Sequence, residues 1–154
     1  MVQLLDEALI ARVTDAARNS PRRRMNFNFH SGPSDNPHRF LNVMLKGTYV
    51  QPHRHLRPPK DEAFLALSGK GCVVTFNDSG AVTARHFIGQ GHAALGVDTP
   101  AGVWHTVVAL SEVLVCYEVK PGPWDPETDK EFAPWAPTEG SPDVERYLSG
   151  ILNS

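Results

Sequence analysis

The sequence predicts a mainly β fold, and three observations point to it. Short runs of β-forming residues alternate with turn sequences from residue 25 to residue 120. The chain holds 12 Gly and 13 Pro among 154 residues, a turn-forming excess without the low hydrophobicity of a disordered chain. No strand–helix–strand alternation is present, which disfavours a parallel sheet. At roughly 100–200 residues per domain, we expect a single domain over residues 1–154.

Eight runs are predicted as strands, and their number and spacing suggest a sandwich or barrel. They cover residues 25–30, 40–45, 48–53, 62–67, 72–76, 81–88, 103–109 and 113–119. The segment Asn77-Asp78-Ser79-Gly80 has the composition of a hairpin turn and joins two of these strands. We therefore place the β domain at residues 25–120.

Helices are predicted on either side of the β domain. Apolar residues recur at helical spacing over residues 3–18, within an N-terminal segment 1–20 that ends before Pro21. The three arginines 22–24 are interpreted as a short solvated run. The C-terminal extension 121–154 is rich in proline and contains two Trp and a Phe, which is too aromatic for a disordered linker. We expect it to pack on the β domain and to end in a helix over residues 143–152.

The charge balance argues against nucleic acid as a partner. Lys and Arg number 15 against 17 Asp and Glu, with a pI near 6.4, so the strong positive field of a nucleic-acid binder is missing. No run approaches the ~18 apolar residues of a membrane span, and Asp6 and Glu7 interrupt the start where a secretory signal would be apolar. We expect a cytoplasmic protein without membrane association. Cys72 and Cys116 are predicted to be small buried residues rather than a disulfide.

Histidines carry the strongest functional signal. His53 and His55 are two residues apart, so on a strand both imidazoles point to the same side. Such a pair alone is also common in strands that bind nothing. Glu62 opens the next predicted strand, where an antiparallel partner would bring its carboxylate beside the imidazoles, and His105 follows the tight turn 100–102. Three imidazoles and one carboxylate form a plausible open site for a divalent metal ion.

These two segments resemble the two sequence motifs of the cupin superfamily. The first motif is matched by Gly47, His53, His55, Glu62 and Gly69, although six residues separate His55 from Glu62 where the family has three or four. The centre of the second motif is matched by Pro100, Gly102 and His105. The resemblance implies a single cupin barrel of the jelly-roll type.

Over most of its length the chain is similar to the WbuC family of cupin-fold metalloproteins. The similarity rests on residues 26–30, 39–43, 52–55, 58–60, 104–105, 118–120, 129–130 and 135–137. It implies a divalent metal held by His53, His55, Glu62 and His105, without distinguishing Fe, Zn, Ni, Mn or Cu. Members of that family are associated with bacterial surface-polysaccharide gene clusters, and no reaction is settled for them.

Further residues are candidates for catalysis or ligand binding. Glu118 or His30 is the candidate general acid or base. Arg39, Lys60 and Lys120 are candidates for binding a small anionic or sugar-like ligand. The remaining histidines are interpreted as structural, namely His38, His86 and His92. Trp104 should point away from His105, into the core or an interface.

Three functions remain open at this point. The first is a metal-dependent enzyme that acts on a small oxygen-rich metabolite, such as a sugar or sugar derivative, by isomerisation or dioxygenation. The second is a non-catalytic module that binds or senses a small ligand and has a structural metal. The third is a metal-free sugar epimerase that uses a histidine and an acid as proton carriers. A homodimer is expected from the apolar helix and the aromatic tail.

Overall fold

Two antiparallel five-stranded sheets face each other in the computed structural model, which describes residues 2–153. The elements in chain order are α1 (Glu7–Asn19), β1 (Arg24–Asn28), β2 (His38–Leu45), β3 (His53–Arg54), β4 (Glu62–Ser68), β5 (Lys70–Phe76), β6 (Val82–Gly89), β7 (Gly96–Thr99), β8 (Trp104–Ala109), β9 (Val113–Lys120), β10 (Glu131–Phe132) and α2 (Val144–Asn153). Neither helix is long and apolar enough to cross a lipid bilayer within this part of the chain.

The strand order is that of a jelly roll. One sheet has the order β1-β2-β9-β4-β7 and the other β10-β3-β8-β5-β6. Without the outer strands β1 and β10, each sheet has four strands, and successive strands lie in opposite sheets except for the hairpin of β5 and β6, which is the strand order of a jelly roll. The predicted mainly β jelly-roll fold with an N-terminal helix and a packed C-terminal tail is confirmed.

The segment before β3 is irregular, and the predicted strand 48–53 is wrong. The carbonyls of residues 49–51 accept hydrogen bonds from side chains. Residue 49 is bonded by Arg24, residue 50 by Thr106 and residue 51 by His53. Because side chains satisfy these carbonyls, the segment gains little from a strand ladder. Only the two residues of β3 pair, with β8 on one side and β10 on the other.

Two short strands were not predicted from the sequence. β7 contains a glycine and an aspartate, which are rare in strands, and it pairs with β4. At Gly96 a Cβ atom would lie 2.1 Å from the carbonyl oxygen of Phe64, so only glycine fits there. β10 has only two residues and pairs with β3. Both depend on partners distant in sequence, which periodicity does not reveal.

Helix α1 begins four residues later than predicted. The carboxylate of Asp6 accepts a hydrogen bond of 2.9 Å from the backbone N–H of Leu9, and this cap fixes the start at Glu7. The helix ends at Asn19, just before Pro21, as predicted. Its buried face packs on the outer side of β2. The residues in this cluster include Leu9, Val13, Ala17, Leu41, Val43 and Leu45.

The C-terminal extension packs on the second sheet, as predicted. Trp104 is 5% exposed and lies edge-to-face against Trp135, with Phe76 beside them. Residues Ala133, Ala136 and Ile151 complete this cluster. Cys72 and Cys116 are buried free thiols, also as predicted.

The arginine run 22–24 has a specific role that the interpretation as a solvated run missed. Arg22 and Arg24 each lie 2.9 Å from the Glu139 carboxylate in the C-terminal extension. The Arg24 side chain is only 13% exposed. This pair of arginines therefore joins the segment before β1 to the tail.

Candidate metal centre

Four buried side chains converge between the two sheets. They are His53, His55, Glu62 and His105. Each offers one nitrogen or oxygen atom, and these atoms all lie within 4.8 Å of one another. Imidazole nitrogens and a carboxylate oxygen at such spacing can hold one divalent first-row metal ion.

Strand pairing and one tight turn bring the three histidines together. His53 in β3 pairs directly with His105 in β8, and the centroids of their rings are 4.7 Å apart. His55 follows β3, and its carbonyl accepts a hydrogen bond of 3.0 Å from the backbone N–H of Gly102. Gly102 has φ +82°, a conformation that favours glycine. The turn at 100–102 thereby fixes both His55 and the start of β8.

Glu62 reaches the histidines from the opposite sheet. Glu62 was predicted on a strand paired with the histidine strand, and this detail is wrong. β4 pairs with β9 and β7, whereas β3 and β8 belong to the other sheet. The carboxylate therefore crosses the space between the sheets, with Oε2 3.0 Å from His105 Nε2 and Oε1 3.5 Å from His55 Nε2. Both sheets of the jelly roll therefore contribute side chains to the site.

Backbone carbonyls orient the three imidazole rings in the same way. The Nδ1 atoms of His53 and His105 each lie 2.9 Å from a carbonyl oxygen, those of Gln51 and Val103. Nδ1 of His55 is hydrogen-bonded to the carbonyl of Asp129. A carbonyl can only accept, so each Nδ1 carries the proton and each Nε2 presents a lone pair to the centre.

The Nε2 lone pairs lack partners of their own. Nε2 of His53 and of His55 is buried without a hydrogen bond in the described chain. Nε2 of His105 faces the Glu62 carboxylate, although its Nδ1 proton is already donated to a carbonyl. Buried polar atoms without partners are costly. A cation among these atoms satisfies all of them, so the residues fit a divalent metal ion.

The electrostatics keep the metal-binding groups in the forms that a metal requires. Burial, with the positive charge of Lys130, lowers the pKa of His53 well below its usual value. Burial alone would raise the pKa of Glu62, but the adjoining polar groups, among them the Lys120 ammonium, hold it well below its usual value. A neutral imidazole and an ionised carboxylate are the metal-ligating forms.

Glu118 lies next to Glu62 in the opposite protonation state. Burial, together with the negative charge of Glu62, raises the pKa of Glu118 well above its usual value. Glu118 on β9 pairs with Phe64, two residues after Glu62 on β4, and Asn42 Nδ2 donates to Glu118 Oε2 over 2.9 Å. Two carboxylates in contact share a proton because both cannot ionise cheaply. Glu118 is thus a buried carboxylic acid beside the candidate metal ligands.

Behind the ligands lies a buried ionic cluster. Asp129 Oδ1 is 2.7 Å from the Lys60 ammonium, and Asp129 Oδ2 is 3.1 Å from the Lys120 ammonium. The Lys120 ammonium also lies 3.6 Å from Glu62 Oε1. Because Asp129 also accepts the hydrogen bond of His55 through its carbonyl, the ionic cluster fixes the position of a candidate metal ligand.

The site opens into a cavity of about 810 Å³ between the sheets. The cavity wall includes His53, Glu62, His105, Glu118, Lys120 and Lys130 together with the polar side chains Asn26, Asn28, Asn42 and Gln51. Oδ1 of Asn42 is buried without a hydrogen-bond partner among residues 2–153. Amides in a cavity of this size suit a ligand with several hydroxyl groups.

A family model for a domain of unknown function, DUF6016, matches residues 5–88 of the chain. The chain belongs to the DUF6016 family. The matched region contains His53, His55 and Glu62, and ends before His105. No curated protein matches the chain.

Solved structures support the fold of this DUF6016 chain. The capsular polysaccharide assembling protein CapF from Staphylococcus aureus superposes with a TM-score of 0.61 at 23% identity, over 73% of this chain and 30% of CapF. KdgF from Halomonas sp. gives a TM-score of 0.52 at 17% identity, over 70% of this chain and 84% of KdgF. The chain thus corresponds to under a third of CapF, and both likenesses concern the fold.

Not every predicted site residue of the DUF6016 chain reaches the cavity. Glu118 and Lys120 line it, and His30 lies in its wall with its ring stacked on His38 at a centroid distance of 4.0 Å. Lys60 is 2% exposed and bound to Asp129 behind the wall. Arg39 lies on the opposite face of β2, exposed, with its guanidinium against the carbonyl of Phe29.

His38 and the other two histidines interpreted as structural occupy different environments. His38 is buried in the cavity wall and its Nε2 lies 3.0 Å from the carbonyl oxygen of Pro33. Burial, with the charge of His30, lowers the pKa of His38. His86 is exposed on β6, and His92 stacks on Phe87 away from the cavity.

Several polar residues of the cavity were missed as site residues, among them Asn42, Asp129 and Lys130. Asn42 shares the inward face of β2 with His38, Phe40 and Met44, and the alternation of that strand was the signal that could have found it. The same alternation places Arg39 outside. Asp129 and Lys130 lie in the tail ahead of β10, and no local pattern indicates that this segment returns to the site.

Proposed function

We propose that the protein binds a divalent metal ion through His53, His55, Glu62 and His105 and acts on a small oxygen-rich metabolite in the adjoining cavity. The observation that carries the proposal is the set of three imidazole Nε2 atoms and one carboxylate directed at a common centre. Imidazole and carboxylate ligands suit Fe, Zn, Ni, Mn and Cu alike. Elemental analysis of the purified protein is therefore needed to identify the metal. When bound, the ion supplies a Lewis acid that polarises oxygen atoms of the ligand.

Glu118 is the proposed proton donor and acceptor. Its carboxyl group lines the cavity, lies beside Glu62 and is held by Asn42. A carboxylic acid with a raised pKa can give its proton to a substrate atom and take one back at neutral pH. Isomerisation needs such a group, and Glu118 therefore favours isomerisation over dioxygenation.

A role in surface-polysaccharide metabolism is the proposed context. It is supported by the resemblance to the WbuC family, whose members are associated with surface-polysaccharide gene clusters. CapF, which shares the fold, is described as a capsular polysaccharide assembling protein. The amide-rich wall of the cavity suits a sugar or sugar derivative.

A metal-free epimerase is the second candidate, and one contact favours it. His105 Nε2 and Glu62 Oε2 lie 3.0 Å apart, a histidine–carboxylate pair of the kind that moves protons without a metal. The unpartnered Nε2 atoms of His53 and His55 have no role in that mechanism, and they favour the metal.

Metal stoichiometry in three purified proteins tests the proposal. We expect about one divalent ion per wild-type chain by elemental analysis, and a far lower content in His105→Ala because a ligand is lost. His86→Ala is the matched control, since His86 is exposed on β6, and it should retain the metal. Circular dichroism checks that each variant is folded.

Two results would contradict the metal site. One is a His105→Ala variant with the metal content of the wild type. The other is a wild-type protein that contains no metal after gentle purification and gains no melting temperature when divalent ions are added, which favours the epimerase. A metal retained without exchangeable water, and without turnover of sugars, favours a non-catalytic binding module.

The substitution Glu118→Gln tests the proposed acid. Glutamine keeps the volume and the hydrogen bonds but has no titratable proton. We expect unchanged metal content and the loss of the infrared absorption of one protonated carboxyl group at neutral pH. On a substrate that is turned over, the rate should fall by about 10²–10⁴. An unchanged infrared spectrum would show that Glu118 is ionised.

A further inference from the structure

Lys130 lines the cavity and has no ion pair among the residues that the structure describes. It lines the cavity near the start of β10, directly after Asp129. The two carboxylate oxygens of Asp129 are occupied by Lys60 and Lys120. Within residues 2–153, no carboxylate lies within ion-pair distance of the Lys130 ammonium. Lys130 therefore adds a positive charge to the cavity wall that no carboxylate of residues 2–153 pairs with.

The charged groups around Lys130 carry no excess of negative charge that would repel an anion. The ammonium groups of Lys60, Lys120 and Lys130 face at most three carboxylates, those of Glu62, Glu118 and Asp129. The three positive charges therefore match or exceed the negative ones before any metal ion is counted. A divalent ion adds two positive charges, and an anionic ligand restores the balance.

The position of Lys130 places this excess charge beside the candidate metal ligands. Lys130 and His53 both line the cavity, and the charge of Lys130 is one of the causes that lower the pKa of His53. Burial and repulsion from Lys120 both lower the pKa of Lys130, and an anion bound near the two ammonium groups would favour the charged form of Lys130. Lys130 can thus bind an anionic group of a ligand whose other oxygen atoms would contact the metal ion and the side-chain amides of the cavity.

We propose that Lys130 forms an anion subsite of the cavity, and that the ligand is an oxygen-rich metabolite carrying a carboxylate or a phosphate group. This inference rests on the proposed function for the sugar-like part of the ligand. Asn42, through its unpartnered Oδ1, and Gln51 are placed to bind hydroxyl groups. Lys130 binds the anionic group by a charge-assisted hydrogen bond. It is a binding residue that selects acidic over neutral ligands.

Calorimetric titration of the full-length, metal-loaded protein with three probes tests the subsite. The probes are D-glucose, D-glucuronate and D-glucose 6-phosphate, which share a sugar ring and differ in the charged group. We expect at least one acidic sugar to bind about tenfold or more tightly than glucose. Binding of glucuronate alone identifies a carboxylate site, and binding of the phosphate alone identifies a phosphate site. Equal binding of all three, or binding of none, overturns the proposal.

The substitution Lys130→Met shows whether that preference depends on the ammonium group. It should abolish the preference for the acidic sugar, leave the affinity for glucose unchanged and keep the metal content. Lys130→Arg should retain the preference, and Lys46→Met, on an exposed lysine with 61% of its side chain accessible, is the matched control. A Lys130→Met variant that keeps the preference overturns the proposal, as does one that loses glucose binding equally.

The outcome is distinguishable from failure of the proposed function. Metal content tests the metal site, whereas the ratio of acidic to neutral affinity tests Lys130. If the wild type binds no metal, the same titrations on the metal-free protein still show whether the acidic preference requires Lys130.

Discussion

The carboxylate of Asp129 is the counter-charge for two buried lysines. The side chains of Lys60 and Asp129 are 2% and 3% exposed, and that of Lys120 is 6% exposed. Replacement by asparagine leaves both ammonium groups buried with too little negative charge. Removal of one partner from a buried ion pair costs about 3–5 kcal/mol of the free energy of unfolding.

We therefore expect Asp129→Asn to lower the free energy of unfolding by about 3–5 kcal/mol in urea denaturation. Asp143→Asn is the control, because Asp143 pairs with Arg146 on the surface, with side chains 60% and 85% exposed. That change should cost at most about 1 kcal/mol. If both variants lost the same free energy of unfolding, the buried ionic cluster would contribute no more to stability than the surface ion pair.

Single residues also show how far the site was predictable. His53 and His55 are two residues apart and so lie on the same side of a strand, and His105 follows the turn at 100–102. Local spacing was therefore enough to predict all three histidines as metal ligands. Glu62 was predicted as a ligand, but its approach from the opposite sheet depends on sheet packing. Arg39 was wrongly predicted as a ligand-binding residue. It is adjacent to the inward-facing Phe40 on β2, so its side chain lies on the outer face of the strand.

At the scale of elements, the N-terminal arginines and the C-terminal extension hold each other in place. Hydrogen bonds from Arg22 and Arg24 outweigh the effect of partial burial and lower the pKa of Glu139 to about 2. A carboxyl pKa that is lower in the folded state stabilises the fold above the unfolded pKa. That stabilisation is complete above about pH 4.5 and is lost as the pH falls towards 2.

Glu139→Gln should accordingly destabilise the protein near neutral pH and much less at low pH. Because 37% of the Glu139 side chain is exposed, we expect about 1 kcal/mol or less at pH 6. In urea denaturation the difference between wild type and variant should narrow as the pH is lowered to about 3. A difference that is constant over this range would assign the effect to packing instead of charge.

The elements that could not be predicted are those set by distant partners. β7 and β10 have too few residues for periodicity, and each is defined by a strand from another part of the chain. The segment 48–52 has the composition of a strand, yet side-chain donors from Arg24 and Thr106 occupy two of its carbonyls. Such contacts become visible only when the chain is folded.

At the scale of the whole molecule, turn spacing and the two motifs sufficed to predict a jelly roll with a four-residue cluster. The cavity required more, because its walls come from β1, β2, β9 and the tail. Lys130 joins the site only because the C-terminal extension returns to pair with β3. The predicted homodimer stays a prediction, which light scattering of the purified protein checks.

The central claim is that His53, His55, Glu62 and His105 hold a divalent metal ion between the two sheets. Anomalous diffraction at the absorption edge of the metal found by elemental analysis tests it most directly, with crystals of the wild-type protein. The expected result is one strong peak per chain, in contact with the three Nε2 atoms and the Glu62 carboxylate. A metal-containing crystal with no peak at these residues, or with its peak at other side chains, would contradict the claim.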